Sequence, residues 1–514
     1  MKQLFNPRIL AGLIGLFFAF SACTDLEEVP FNQLAATDFN QNSSQVEASL
    51  KGIYAAFASP YDWRYQYLMN EVTTDVGIVP TRGGGWNCCG EREYNEHTWD
   101  ATTNYSTRVY NFYSTAIGRA NFVLENLDPA DFPAEVAEAK FLRALAYHDM
   151  MDLYGNVPVV TTAVQDPNAL AGNQPIGEQR ARVFALVEND LLEAIPDLPL
   201  KSEVPANYYP RATRGAAQAL LAKAYLNAEV YTGTARWQDC IDICDDLINS
   251  GEYELTPNIL DNFVPENQGS PENIFTSVKT SLSGDQSNGL INYMVQFQPE
   301  MAPKLNMPAS GWGGFSVMKD HYDEYDPDDF RRSYIFFGPQ FLEDGTPLYK
   351  GATADGNGDP SQGQFEILPI ADIADAPRDE GLKSGKYVPD PSQLTPYANN
   401  DVVILRYSDV LLSKAECQIR LNGAGAGDAL INQVRARNFD PAQPLVNAGL
   451  AEILDERAFE FSYEGKRRQD LIRFGQFTSL NYKFRVNFDE HRSIFPIPQV
   501  ELDRNPALVQ NPGY

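Results

Sequence analysis

The sequence predicts a mainly α-helical fold, in which paired helices form a scaffold that carries a large loop-rich part. Three observations predict it. Apolar residues recur at spacings of three and four in separate blocks early and late in the chain. Alanine-dense stretches alternate with bulky ones, as closely packed helix pairs require. Between the blocks, from about Glu252 to Asn400, periodicity fails and Gly, Pro, Asn and Asp become frequent.

Taken in order, the elements begin with a leader. Lys2 and Arg8 precede the apolar run ILAGLIGLFFAF, which is shorter than the ~20 residues a bilayer helix needs, and Ser21-Ala22 follow as small residues before Cys23. The ending Phe-Ser-Ala-Cys resembles a bacterial lipobox, which implies acylation of Cys23 as the new N-terminus and a lipid anchor. Residues 1–22 are thus read as a lipoprotein signal peptide and 23–38 as an acidic tether, after which 39–250 and 251–514 form an N-terminal and a C-terminal part. Tyr110, Tyr113, Ile117, Asn121 and Leu124 share one helix face, and Leu127-Asp128-Pro129 stops that helix. The next runs from near Phe132 until Gly155 and Pro158 close it. A third covers about Arg180 to Ile195, a fourth is TRGAAQALLAKAYLNAE, and Trp237 to Ile248 is its partner. Late in the chain ILRYSDVLLSKAECQIRLNG pairs with GDALINQVRARN, followed by LAEILDERAFEFSYEGKRRQDLIRFG. This alternation resembles tetratricopeptide packing, without a regular period. Pro80 to Trp99 reads as a second loop region.

Composition narrows the function. The chain has 514 residues with 69 Asp plus Glu against 40 Lys plus Arg, a formal net charge of −29. Such a field repels phosphate backbones, which excludes nucleic acid as a partner and favours a neutral or cationic ligand over an anionic one. The 4 histidines are scattered, and no HExxH, GxSxG or GxxxxGK[ST] occurs, so the reading is a non-enzyme. Acidic pairs such as Asp328-Asp329 are expected by chance in so acidic a chain.

The helical blocks carry a family resemblance. AEAKFLRALAYHDMMDLYGNVPVV, RATRGAAQALLAKAYL, VILRYSDVLLSKAE, LINQVRARN, ILDERAFEFSYEGKRRQDLIRFG and the tail IFPIPQVELDRNPALVQNPGY resemble, in order, the SusD/RagB surface lipoproteins of Bacteroidetes. The resemblance implies a SusD-like fold with tetratricopeptide-like helix pairs. It also implies a surface-exposed, lipid-anchored place on the outer membrane and capture of oligosaccharides for a SusC-type TonB-dependent transporter. Binding of peptides or another nutrient is the alternative that the same scaffold permits. Arg406, Glu416, Glu456, Arg457, Glu460, Arg467, Arg468 and Asp470 alternate in sign on helices, which suits ion pairs between helix layers rather than ligand contacts. Asn511-Pro512-Gly513-Tyr514 is expected to dock the chain end on the body.

The ligand candidates lie in RGGGWNCCGEREYNEHTW. Three glycines before Trp86 allow a loop that presents an indole outward. A sugar's C–H face packs on such a plate, and its hydroxyls need partners such as Asp75, Arg82 and Asn87. Family members often carry a stacking aromatic in this loop. Trp312, with Phe315 three residues on, is similar to the family's second aromatic loop, but a core plug is an equal reading for Trp312. Cys88-Cys89 are either a vicinal disulfide, whose ~3.8 Å Cα separation is below the usual range, or two free thiols. Cys240, Cys244 and Cys417 read as core thiols. No cofactor is expected. Asp355, Asn357, Asp359 and Glu366 have the spacing of a calcium loop, but Pro360 stands where the turn wants Gly, so an acidic turn is preferred.

Overall fold

The computed structural model describes residues 43–514 except 62–64, 84, 164–168, 280–296, 308–310 and 392–398. The leader, Cys23 and the tether at 23–38 lie outside the described residues. Helix α1, Ser43–Ala58, turns Val46, Leu50, Ile53 and Phe57 inward at helical spacing. Helix α2 spans Asn104–Asn126 and α3 spans Pro133–Tyr154, whose first-turn proline is already set for a helix. Helix α4 is Ile176–Ala194, α5 Arg214–Leu226 and α6 Trp237–Ser250, which ends at Gly251 in the left-handed region. In α5 the buried Ala216, Ala217, Ala219, Ala222 and Ala224 let α6 approach closely. After the loop-rich part come α7, Tyr407–Asn422, α8, Asp428–Arg435, α9, Leu450–Phe461, and α10, Arg467–Arg473.

Successive helices pack on one another, α1 on α2, α2 on α3, α3 on α4 and α5 on α6. Helix α7 then packs on α6 as though the loop-rich part did not intervene. The main core runs from Val46 to Leu508 and draws on residues both before and after 250. Among the described residues, no helix is long and apolar enough to cross a membrane.

Two strands explain how the excursion is inserted. Asn273–Ser277 leaves the scaffold, Val402–Arg406 returns to it, and the two pair antiparallel with Thr276 opposite Val403 and Ser277 opposite Val402. The inserted part has one small core of its own and shares a second with segments before and after it. One gathers Phe297, Met301, Leu348, Phe365 and Ile367, and another Val76, Phe263, Val317, Tyr334 and Leu382. The loop read at Pro80 to Trp99 contains the helix Glu91–Glu96, between Gly90 and His97 in the left-handed region. Six residues are too few for a helical period to register.

An ion-pair seam joins α7, α9 and α10. Arg406 meets Glu272 at 2.8 Å, Glu460 at 2.6 Å and Glu464 at 2.7 Å. Arg437 also meets Glu460, and Arg331 bonds Asp329, Glu456 and Glu460. Arg457 pairs with Asp470, Arg473 with Glu416 and Arg468 with Asp152. Burial by itself would raise the Glu460 carboxyl, but Arg437, Arg406 and Arg331 outweigh it and hold it at about 2. The expected tail docking is present. Asn511 donates to the Tyr154 and Phe495 carbonyls, and the Tyr514 hydroxyl accepts from the Trp99 indole and donates to the Ile494 carbonyl.

Candidate functional site

Two loops far apart in sequence meet because the strands next to them pair. Gly77–Ile78, just before the first loop, lies antiparallel to Ser316–Val317, just after the second, with Gly77 opposite Val317. The first loop turns tightly, Arg82 and Gly85 exchanging backbone hydrogen bonds of 3.0 and 2.8 Å. Trp86 follows in the left-handed region at φ 61°, a conformation that costs a non-glycine residue about 1 kcal/mol. Packing holds it there. Its indole lies over Gly314, where a Cβ would overlap the ring, and edge-on to Phe315 with centroids 6.2 Å apart. Gly314 is therefore the seat on which the first loop docks against the second.

The second loop is fixed from behind by Lys383. Its fully buried Nζ lies within hydrogen-bond distance of the Gly313 carbonyl at 3.2 Å, the Phe315 carbonyl at 2.7 Å and the Ser316 hydroxyl at 2.9 Å. Burial first, and the charge of Arg82 second, push Lys383 well below its ordinary pKa. Arg82 donates to the Pro377 carbonyl and, at 2.7 Å, to the Glu380 carbonyl, and burial lowers it to about 10.

Between the loops opens a cleft of about 150 Å³ whose walls include Arg82, Trp86, Gln298, Trp312, Gly313 and Arg378. Trp312 is 47% exposed, so it is no core plug. Trp86 is half-buried, with its ring partly in the cleft wall. Two indoles, two guanidiniums and one amide on a concave surface can hold a flat, largely apolar face and hydrogen-bond its polar rim.

The expected site residues do not all gather here. Asp75 is bound by Arg467, with contacts of 2.6 and 2.9 Å, so its carboxylate joins α10 to the strand region and is closed to a ligand. Phe315 is 1% exposed and packs on Tyr67 as well as Trp86, beneath the cleft rather than in it. Asn87 is exposed beside Trp86 but does not line the cleft. Gln298, Arg378 and Lys383 were not singled out in the sequence, because an isolated polar residue in an aperiodic stretch gives no local signal.

Cys88 and Cys89 form a vicinal disulfide, and the Cys89 amide donates to Glu91 at 3.0 Å. Those three residues are the only group of three or more His, Cys, Asp or Glu among the described residues with ligand atoms within 4.8 Å of one another. The calcium-loop spacing does not produce a converged acid cluster. Asp359 caps the turn Pro360–Gln362 through the Ser361 amide, and Glu366 lies in a strand paired with Gly338–Pro339. Cys240, Cys244 and Cys417 are buried and unbridged, as expected.

Comparison with known proteins decides the family. A profile described as "SusD family" matches residues 378–514, and one described as "Starch-binding associating with outer membrane" matches 27–226, between them well over half of the chain. The chain belongs to the SusD family. It is similar to SusD-like protein P25 of Formosa agariphila, 26% identical over 97% of this chain and 98% of that protein. It is also similar to the starch-binding protein SusD of Bacteroides thetaiotaomicron, 25% identical over 100% and 99% of the two chains. A solved laminarin-binding SusD-like protein superimposes with a TM-score of 0.73 at 23% identity, covering 92% of this chain and 100% of that one. The SusD-like fold, mainly α-helical, is the one expected from the sequence.

Proposed function

We propose that this SusD-family protein captures an oligosaccharide at the outer surface of the cell and passes it to a SusC-type TonB-dependent transporter, without catalysis. The observation that carries the reading is the cleft in which Trp312 stands exposed opposite Trp86, with polar side chains at its rim. Starch and laminarin binding by similar proteins support the glycan class. An indole offers a ring-sized apolar plate to the C–H face of a pyranose, and Gln298 and Arg378 stand where hydroxyl or acidic substituents would lie. Cys23 carries the lipid anchor in this reading, and outer-membrane association accords with the family description matched by residues 27–226.

Glycan-array binding by the purified protein, repeated with Trp312→Ala, tests the capture role. Binding that is absent, or unaltered by the substitution in folded protein, would refute it. The transport role predicts that the protein co-purifies with a β-barrel partner in mild detergent. Cys23→Ala is expected to release it from membranes with its helical spectrum unchanged.

A further inference from the structure

The chain is strongly acidic, yet its cleft is not. With 69 acidic residues in the sequence, the lining of the cleft contains, among the described residues, two arginines and no aspartate or glutamate. Of the acids nearest in sequence, Asp379 pairs with Lys350 at 3.1 Å, Glu380 accepts from the Ala371 amide at 2.8 Å, and Glu300, next to Pro299, does not line the cleft. Behind the second loop Lys383 is held by carbonyls and a hydroxyl instead of a carboxylate, so no acid is drawn to the cleft from that side.

The polar groups of the cleft are also incomplete. Arg378 is exposed and has no carboxylate partner among the described residues. Gln298 is 1% exposed, and both its amide nitrogen and its amide oxygen lack a hydrogen-bond partner among the described residues. The Nε of Arg82 lacks one too. Gln298 lines the cleft, so its unsatisfied amide is a group that a molecule seated there can complete. A neutral sugar would supply hydroxyls alone. A planar guanidinium fork fits an oxyanion better, because it donates two parallel charge-assisted hydrogen bonds to it.

Resting on the glycan reading, we propose that the ligand of this cleft is an acidic glycan, its anionic substituent held by Arg378 while a sugar ring stacks on Trp312. The global charge does not forbid this. Charges more than ~8 Å away across solvent are largely screened at physiological salt, so the local set of cations governs the last step of binding.

The experiment measures binding by calorimetry to a panel of carboxylated and sulfated polysaccharides, each beside its neutral counterpart made by carboxyl reduction or desulfation. The expected result is binding to an acidic member, loss with its neutral counterpart, and a fall of roughly tenfold or more in Arg378→Ala. Whether the carboxylated or the sulfated member binds identifies the oxyanion. Arg378 is exposed, so the melting temperature of Arg378→Ala should equal that of the wild type. Equal binding to the neutral counterpart, or unaltered affinity in Arg378→Ala, overturns this inference and leaves glycan capture standing. Binding to no member of either class overturns both.

Discussion

The ion-pair seam and the aromatic cleft both bury basic side chains, and they do so in opposite ways. In the seam, Arg331, Arg406, Arg457 and Arg473 each meet carboxylates directly, with Glu460 shared by three arginines. At the cleft, Lys383 and Arg82 are held by carbonyls and a hydroxyl. The seam's charges are therefore neutralised inside the protein, and their geometry serves the fold. At the cleft burial instead drives Lys383 towards its uncharged form, while Arg82 keeps its charge because a carbonyl dipole orients a cation without cancelling it. A charge closed by a carboxylate is spent on the fold, whereas Arg82, closed by neutral oxygens in the cleft wall, leaves its charge uncancelled beside the cavity.

The largest effect should come from breaking the seam at its most shared member. Glu460→Ala leaves Arg331, Arg406 and Arg437 short of a partner, and one such break costs about 3–5 kcal/mol, read as a fall in melting temperature. Acid should do the same more gradually. Glu460 and Asp152 are both held at about 2 in the folded protein, below their unfolded values. They contribute stability in full above pH ~4.5, and it is lost as the pH falls from there towards about 2, so melting curves across that window should fall. A flat profile would show that the seam's charges are of little consequence to folding.

Asp75→Ala separates the two regions, because Asp75 lies near the cleft in sequence but belongs to the seam in its chemistry. It should destabilise by about 3 kcal/mol, by leaving Arg467 buried and unpaired, while ligand affinity in the folded fraction holds. Trp312→Ala should do the reverse, costing about 2 kcal/mol of binding, near thirtyfold in affinity, with an unchanged melting temperature. Gly314→Ala should be milder in both measures. Its methyl group would force the Trp86 indole off its seat, an overpacking of about 1–2 kcal/mol, and lower affinity severalfold through that displacement. Intact affinity in Gly314→Ala would show that Trp86 can move without disturbing the cleft.

The aromatic loops illustrate how far local reading reaches. Trp86 and Trp312 were legible because a tryptophan flanked by glycines is unusual in a packed core, and both line the cleft. Asp75 and Phe315 were misassigned to the ligand on sequence proximity, since nothing local distinguishes a carboxylate facing Arg467 from one facing solvent. Gln298 and Arg378 were missed for the converse reason.

The sequence by itself determined the longer helices, their order and the sign alternation of the seam. Each of these follows from residues within a turn or two of one another, where spacing dictates which side chains share a face. Only the tertiary structure decided which polar residues join the cleft and how its loops are seated. The pairing that unites them is two residues long, Gly77–Ile78 against Ser316–Val317, too short to leave a period. Its register is set instead by packing between distant segments, including one indole over one glycine, and such contacts depend on the whole fold rather than on any window of the chain.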